Sequence, residues 1–154
     1  MSKELLYVKE YIKTLPIRLN IMEFDEGSTK TSQMAAEQLG VEVGQIAKSI
    51  LFTTENGPIL VVTSGDVKVS TSKLKKVLGV KPKMASYDEC ELVTGFKPGG
   101  ICPFALKNEV TIFIDKSLDR FDLVYAAAGT ANTAVPITLE ELLIVTDGSL
   151  VDLA

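Results

Sequence analysis

Apolar residues recur at helical spacing from the start of the chain. Leu5, Val8, Ile12 and Leu15 fall on one face, with lysines and glutamates between them. The spacing predicts an amphipathic helix over residues 3–15, stopped by Pro16. The period then shortens. Ile17, Leu19 and Ile21 alternate with Arg18 and Asn20, the pattern of a half-buried strand. Glu23 to Lys30 is polar, contains Gly27 and reads as a loop. Thr31 is placed to cap a helix through Met34, Ala35, Ala36 and Leu39, with Gly40 closing it.

Two β-branched apolar runs follow, Ser49 to Thr54 and Ile59 to Thr63, with Asn56-Gly57 between them as a hairpin signal. Thr71 to Leu78 reads as a short lysine-rich helix ending at Gly79. Ser86 and Glu89 have capping-box spacing for another helix. The run TGFKPGGICPF, Thr94 to Phe104, has three glycines and two prolines and must be a loop of defined shape. Strands are expected at Val110 to Ile114, Leu123 to Ala127 and Thr133 to Ile137. Thr138 and Glu141 should cap a last helix ending near Gly148. Irregular alternation of helices and strands around a central hairpin implies a mixed α/β sheet rather than a doubly wound parallel one.

Length and composition narrow the picture. At 154 residues, with 46% apolar residues, the chain fits one globular domain spanning 1–154. No repeat or linker interrupts it. A formal net charge of −4 argues against nucleic-acid binding by the whole surface, while leaving room for a local basic patch. Two cysteines, Cys90 and Cys102, are too few for a disulfide framework. The start of the chain has no signal-peptide character and no apolar run is long enough to cross a membrane, so a reduced, cytoplasmic protein is expected. The sequence contains no histidine. That excludes Ser-His-Asp and Cys-His catalysis and removes the commonest ligand of zinc and iron. Neither a metal nor a cofactor is expected.

Three segments carry the chemistry: AAEQLGVEVGQIAKSILF (35–52), TGFKPGGICPF (94–104) and VYAAAGTANTAV (124–135). In order and spacing they resemble the YbaK/ProX aminoacyl-tRNA editing family, which also occurs as the editing insertion of some prolyl-tRNA synthetases. The resemblance runs from about Phe24 to Leu143. It implies a mixed, barrel-like sheet flanked by helices. It also implies a free-standing deacylase that hydrolyses the ester of mischarged tRNA, with the tRNA acceptor end as partner and a synthetase as a second one. By the same resemblance, the family's lysine falls on Lys48 and its backbone-binding glycine on Gly99, with Gly100 beside it. Ala127, Ala128 and Gly129 supply a second wall, and Phe24, Thr31, Met34, Ile101 and Cys102 complete the pocket. The chain departs from the family in three places. Gly129-Thr130-Ala131-Asn132 replaces a GxxxG-like or GKRG-like segment, Ala127 replaces a serine, and Cys102 replaces a serine or proline. All three fall in the presumed pocket, so they bear on which amino acid is removed more than on the reaction.

The residues themselves admit alternatives. Lys48, at the head of an apolar strand, either snorkels to solvent or serves a charged partner. Pro98-Gly99-Gly100 either presents N–H groups to an ester oxygen or is a tight turn requiring φ > 0. Cys102 invites a nucleophile reading, but without histidine its thiolate lacks a base, and a pocket-lining or buried thiol fits better. Asp115, Asp119 and Asp122 read as a solvated turn. Residues 68–83 carry six lysines (Lys68, Lys73, Lys75, Lys76, Lys81 and Lys83) and no acid, whereas Glu109 onward has eight acids against two bases. Such a lysine run is either a solvated helix face or the side that meets a tRNA stem. A module of the same fold that binds tRNA or a nucleotide without turnover is the competing reading.

Overall fold

The computed structural model describes residues 2–154. Its elements, in chain order, are α1 (Lys3–Ile12), β1 (Met22–Glu23), α2 (Ser32–Leu39), β2 (Ile46–Thr54), β3 (Gly57–Ser64), α3 (Thr71–Leu78), β4 (Lys83–Met84), α4 (Tyr87–Thr94), β5 (Thr111–Asp115), β6 (Val124–Ala126), β7 (Thr133–Ile137), α5 (Leu139–Thr146) and β8 (Ser149–Val151). Short 3-10 turns at Val43–Gln45 and Lys116–Arg120 lead into β2 and out of β5. None of the described helices is long and apolar enough to cross a membrane.

The fold is a mixed α/β sheet with helices packed against it. Eight strands follow the order β1-β7-β6-β2-β3-β5-β8, with β4 on the free edge of β2. β2 and β3 are antiparallel, whereas β3–β5, β5–β8 and β2–β6 run parallel. Alternation along the central strands buries both faces. Leu51, Leu60, Val62, Ile112 and Ile114 join Leu5 and Val8 of α1, Cys90 of α4 and Leu142 of α5 in the main core. Phe52, Ile59 and Val61 face the other way, against Leu74 of α3 and the C-terminal Leu153.

Helix ends follow local chemistry. Thr31, Ser70, Ser86 and Thr138 each accept a hydrogen bond from the third residue beyond, and the last two form full capping boxes. Three expectations need correction. Ile17 to Ile21 forms no strand; Leu19 is buried and its neighbours alternate outward, but only Met22–Glu23 reaches a partner, β7. Alternation reports one-sided burial and not ladder hydrogen bonds. The hairpin loop is Glu55-Asn56, because Thr54 pairs with Gly57. Gly57 takes φ 111° while both loop residues keep negative φ, as in a type I turn followed by a left-handed glycine. Asp115 is not solvated: it is 1% exposed and accepts hydrogen bonds from the N–H groups of Ser117 (3.0 Å) and Leu153 (2.6 Å), tying the C-terminus to the sheet. β4 and β8 were not legible as strands at all.

Candidate active site

Three loops meet beside β2 because short residues let their backbones touch. In the 96–101 loop, Lys97-Pro98-Gly99-Gly100 is a closed turn in which Gly100 N–H donates to the Lys97 carbonyl at 2.9 Å. Proline second and a left-handed glycine third (Gly99, φ 87°) is the type II arrangement. Gly100 then abuts the 128–133 loop. A Cβ on it would stand 2.9 Å from the Gly129 carbonyl oxygen and 3.0 Å from Thr130 Cα. The 24–31 loop is stitched to the same segment. Phe24 N–H donates to the Asn132 carbonyl (2.9 Å), Asn132 Nδ2 donates to the Phe24 carbonyl (2.9 Å), and Thr29 Oγ1 donates to the Ala131 carbonyl (2.5 Å). Thr133 Oγ1 holds the 128–133 loop from inside, accepting from Ala128 N–H and donating to the Thr130 carbonyl, both at 2.8 Å.

These loops and β2 enclose a cavity of about 440 Å3. Of the residues expected at the site, Lys48, Gly99, Phe24, Thr31, Ile101 and Ala127 line it. Gly100, Met34, Cys102, Ala128 and Gly129 do not. Gly100 is buried against Gly129–Thr130, and its N–H is spent in the turn, so only Gly99 has an amide left to offer. Gly129 is wedged between the Glu4 carbonyl and the Phe96 ring. Cys102 and Ala128 are fully buried in the core. Burial pushes the Cys102 thiol well above its usual range, the opposite of what a nucleophile needs. Met34, on α2, is half-buried away from the cavity lining.

Lys48 is half-buried and has no ion-pair partner among the described residues. The carboxylate whose field it shares, Asp66, is already engaged. Arg120 donates to it through both terminal nitrogens at 2.7 and 3.1 Å, which is the main cause of its depressed pKa, with Lys48 a minor one. Among the described residues, Lys30 and Lys48 are the only charged ones on the cavity wall, and no acid lies there. The sequence reading missed Lys30, Thr29, Ser49, Tyr125, Ala131 and Thr133, which also line it. Tyr125 stood inside one of the three motifs, and Ser49 directly follows Lys48.

The six lysines of residues 68–83 do not converge on the cavity. Lys73 is turned to the C-terminus, donating to the Ala154 carbonyl (2.6 Å) and pairing with Asp152 (3.3 Å). Lys68, Lys75, Lys76 and Lys81 are exposed elsewhere, and Lys83 alone adjoins a lining residue, Met84.

The sequence profile of the aminoacyl-tRNA editing domain matches residues 26–144. An uncharacterized Bacillus subtilis protein, YwhH, is 40% identical over 124 residues, which is 80% of this chain and 78% of that one. EbsC of Enterococcus faecalis, a candidate Cys-tRNA(Pro)/Cys-tRNA(Cys) deacylase, is 25% identical over 125 residues, 80% of this chain and 76% of its own. A crystal structure of a candidate trans-editing enzyme for prolyl tRNA synthetase superposes with a TM-score of 0.94 at 31% identity, covering 99% of this chain and 98% of that one. Profile, relatives and fold agree with the three motifs, and the chain belongs to the aminoacyl-tRNA editing domain family.

Proposed function

We propose that the chain is a free-standing deacylase that hydrolyses the ester of mischarged tRNA, with residues 1–154 acting as one editing domain in the cytoplasm. The observation that carries this reading is an unpaired lysine, Lys48, and an open backbone amide, Gly99 N–H, on the wall of one acid-free cavity. An aminoacyl ester is already activated. The Gly99 amide donates to its carbonyl oxygen, and the Lys48 ammonium stabilises the negative charge that grows there when water adds to the carbonyl carbon. The vicinal ribose hydroxyl orients that water. The adding water gives up a proton, and the tetrahedral intermediate collapses by expelling the ribose 3′-oxygen, which takes that proton up as the amino acid leaves.

The substrate side chain is small or medium and uncharged, in the class of alanine, serine, threonine, cysteine and proline. Phe24, Ile101, Ala127 and Thr31 offer apolar and hydroxyl surface and no counter-charge. The acceptor end of tRNA is the partner, with Lys30 and Lys48 next to its terminal phosphate. The likeness to a trans-editing protein for prolyl tRNA synthetase supports a synthetase as a second partner. The test is a panel of tRNAs mischarged with those five amino acids, followed for loss of the ester. Turnover of at least one is expected. Binding of the panel with no turnover would favour a non-catalytic module.

A further inference from the structure

β2 is paired along one edge by β3 throughout, but its other edge is interrupted. β6 covers Ile46 and Ala47, and β4 covers Phe52 and Thr53. Between them Ala85 reaches only the Leu51 carbonyl, so Lys48 to Ile50 is left vacant, and this stretch forms part of the cavity wall. In an antiparallel pair, alternate residues turn their N–H and C=O toward the partner or away from it. Leu51 turns away from β3, since its carbonyl accepts from Ala85 N–H at 3.0 Å. Ser49, two residues before, therefore also faces the vacant edge with both its N–H and its C=O. Neither group has a side-chain or loop partner among the described residues. Ser49 Oγ is buried and likewise lacks a partner. The hydroxyl is sealed from the cavity, and what Ser49 offers at the gap is a main-chain donor and acceptor. Buried polar groups left this way are costly unless something pairs with them.

An extended residue presents its N–H and C=O side by side, and the complementary partner is a group with an acceptor and a donor on one carbon. An aminoacyl ester has that layout: an α-ammonium and a carbonyl flanking Cα. We infer that Ser49 holds the aminoacyl moiety as a one-residue strand in the gap between β6 and β4. The Ser49 carbonyl accepts from the α-ammonium, and Ser49 N–H donates to the ester carbonyl oxygen. The second lone pair of the ester oxygen stays available to Gly99. This assignment rests on the cavity being an aminoacyl-ester site, and it makes Ser49 a main-chain specificity residue for the α-amino group.

The experiment uses the full chain, 15N-labelled, with stable amide analogues in which L-alanine, L-serine, L-cysteine or L-proline is joined to 3′-amino-3′-deoxyadenosine 5′-phosphate. Amide exchange is measured by NMR with and without each analogue. Ser49 N–H should exchange at least tenfold more slowly when an analogue is bound, and a lactyl analogue, with hydroxyl in place of ammonium, should bind at least tenfold more weakly. Binding reported by the Lys48 and Gly99 amides with Ser49 exchange unchanged would overturn the assignment while leaving the deacylase reading intact. Failure of all four to bind, with no turnover on the tRNA panel, would overturn both. Ser49→Pro provides a second measurement. It deletes the gap-facing N–H without deleting a ladder bond, a position where a strand tolerates proline, and it should lose at least tenfold in analogue affinity. Wild-type affinity in a folded Ser49→Pro protein would refute the assignment, and if this variant does not fold, the exchange of the wild-type amide decides.

Discussion

At the scale of single residues, adjacent glycines have different duties. Gly99 holds a left-handed turn with open space around it, since an added Cβ would meet only Ala131 Cβ, at 3.9 Å. Gly99→Ala should cost about 1–2 kcal/mol of stability, the usual penalty of a left-handed alanine, and lower turnover. Gly100→Ala should be worse in a melting experiment, because its Cβ meets backbone at 2.9 Å and one of the two loops must move. Lys48→Ala should leave the melting temperature nearly unchanged and reduce kcat by about 10²-fold or more, the scale of losing one electrostatic partner of the transition state. A larger change in KM than in kcat would mean that Lys48 binds the ground state instead. Cys102 is a contrasting case. The Cys102 thiol should resist alkylation until the protein is unfolded, because it is fully buried in the core. Cys102→Ser should keep substantial turnover and cost about 1–3 kcal/mol of stability, as an imperfectly paired buried hydroxyl does. A trapped acyl-enzyme on the wild type would contradict this.

At the scale of elements, what was legible in the sequence was local. The caps at Thr31, Ser86 and Thr138 could be read because cap and target lie three residues apart. Thr138→Ala should therefore lower stability by about 1 kcal/mol, measured by denaturant titration, with no change in turnover, since α5 does not reach the cavity. Strand membership was read less well. Ile17, Leu19 and Ile21 carry a strand pattern without a partner, whereas Lys83–Met84 and Ser149–Val151 pair without showing a pattern. Pairing depends on what distant segments leave open, and no window of neighbours contains that. The same holds for the site. Lys48 and Gly99, which stand on the cavity wall, lie in the motifs, whereas the absence of Gly100 from that wall needed the turn register and the gap beside Ser49 needed the strand order.

At the scale of the whole molecule, charge is the feature to test. Lys30 and Lys48 sit at the cavity, whereas Lys75 and Lys76 stand exposed on α3 and Lys73 is tied to the C-terminus. If α3 meets the acceptor stem, Lys75→Glu with Lys76→Glu should weaken tRNA binding and flatten its dependence on salt, by about 0.7–0.9 in log–log slope per lost phosphate contact. Binding of the short adenosine analogues should be unaffected. An unchanged slope for full tRNA would put the stem on another face. Lys30→Glu should weaken both tRNA and the short analogues.

The interrupted edge of β2 has a further consequence, for self-association. A bare strand edge is a template on which another chain can add a strand, and proteins usually blunt it with charge, proline or a bulge. Here the opening is bounded by β6 at Ala47 and by β4 at Phe52. The free edge, Lys48 to Ile50, is shorter than the usual strand of about five to six, and the flanking strands block any longer visitor. If Ser49 holds its ligand as inferred, the molecule keeps free backbone on offer to a small guest while denying it to a second polypeptide, so that the gap does not seed aggregation.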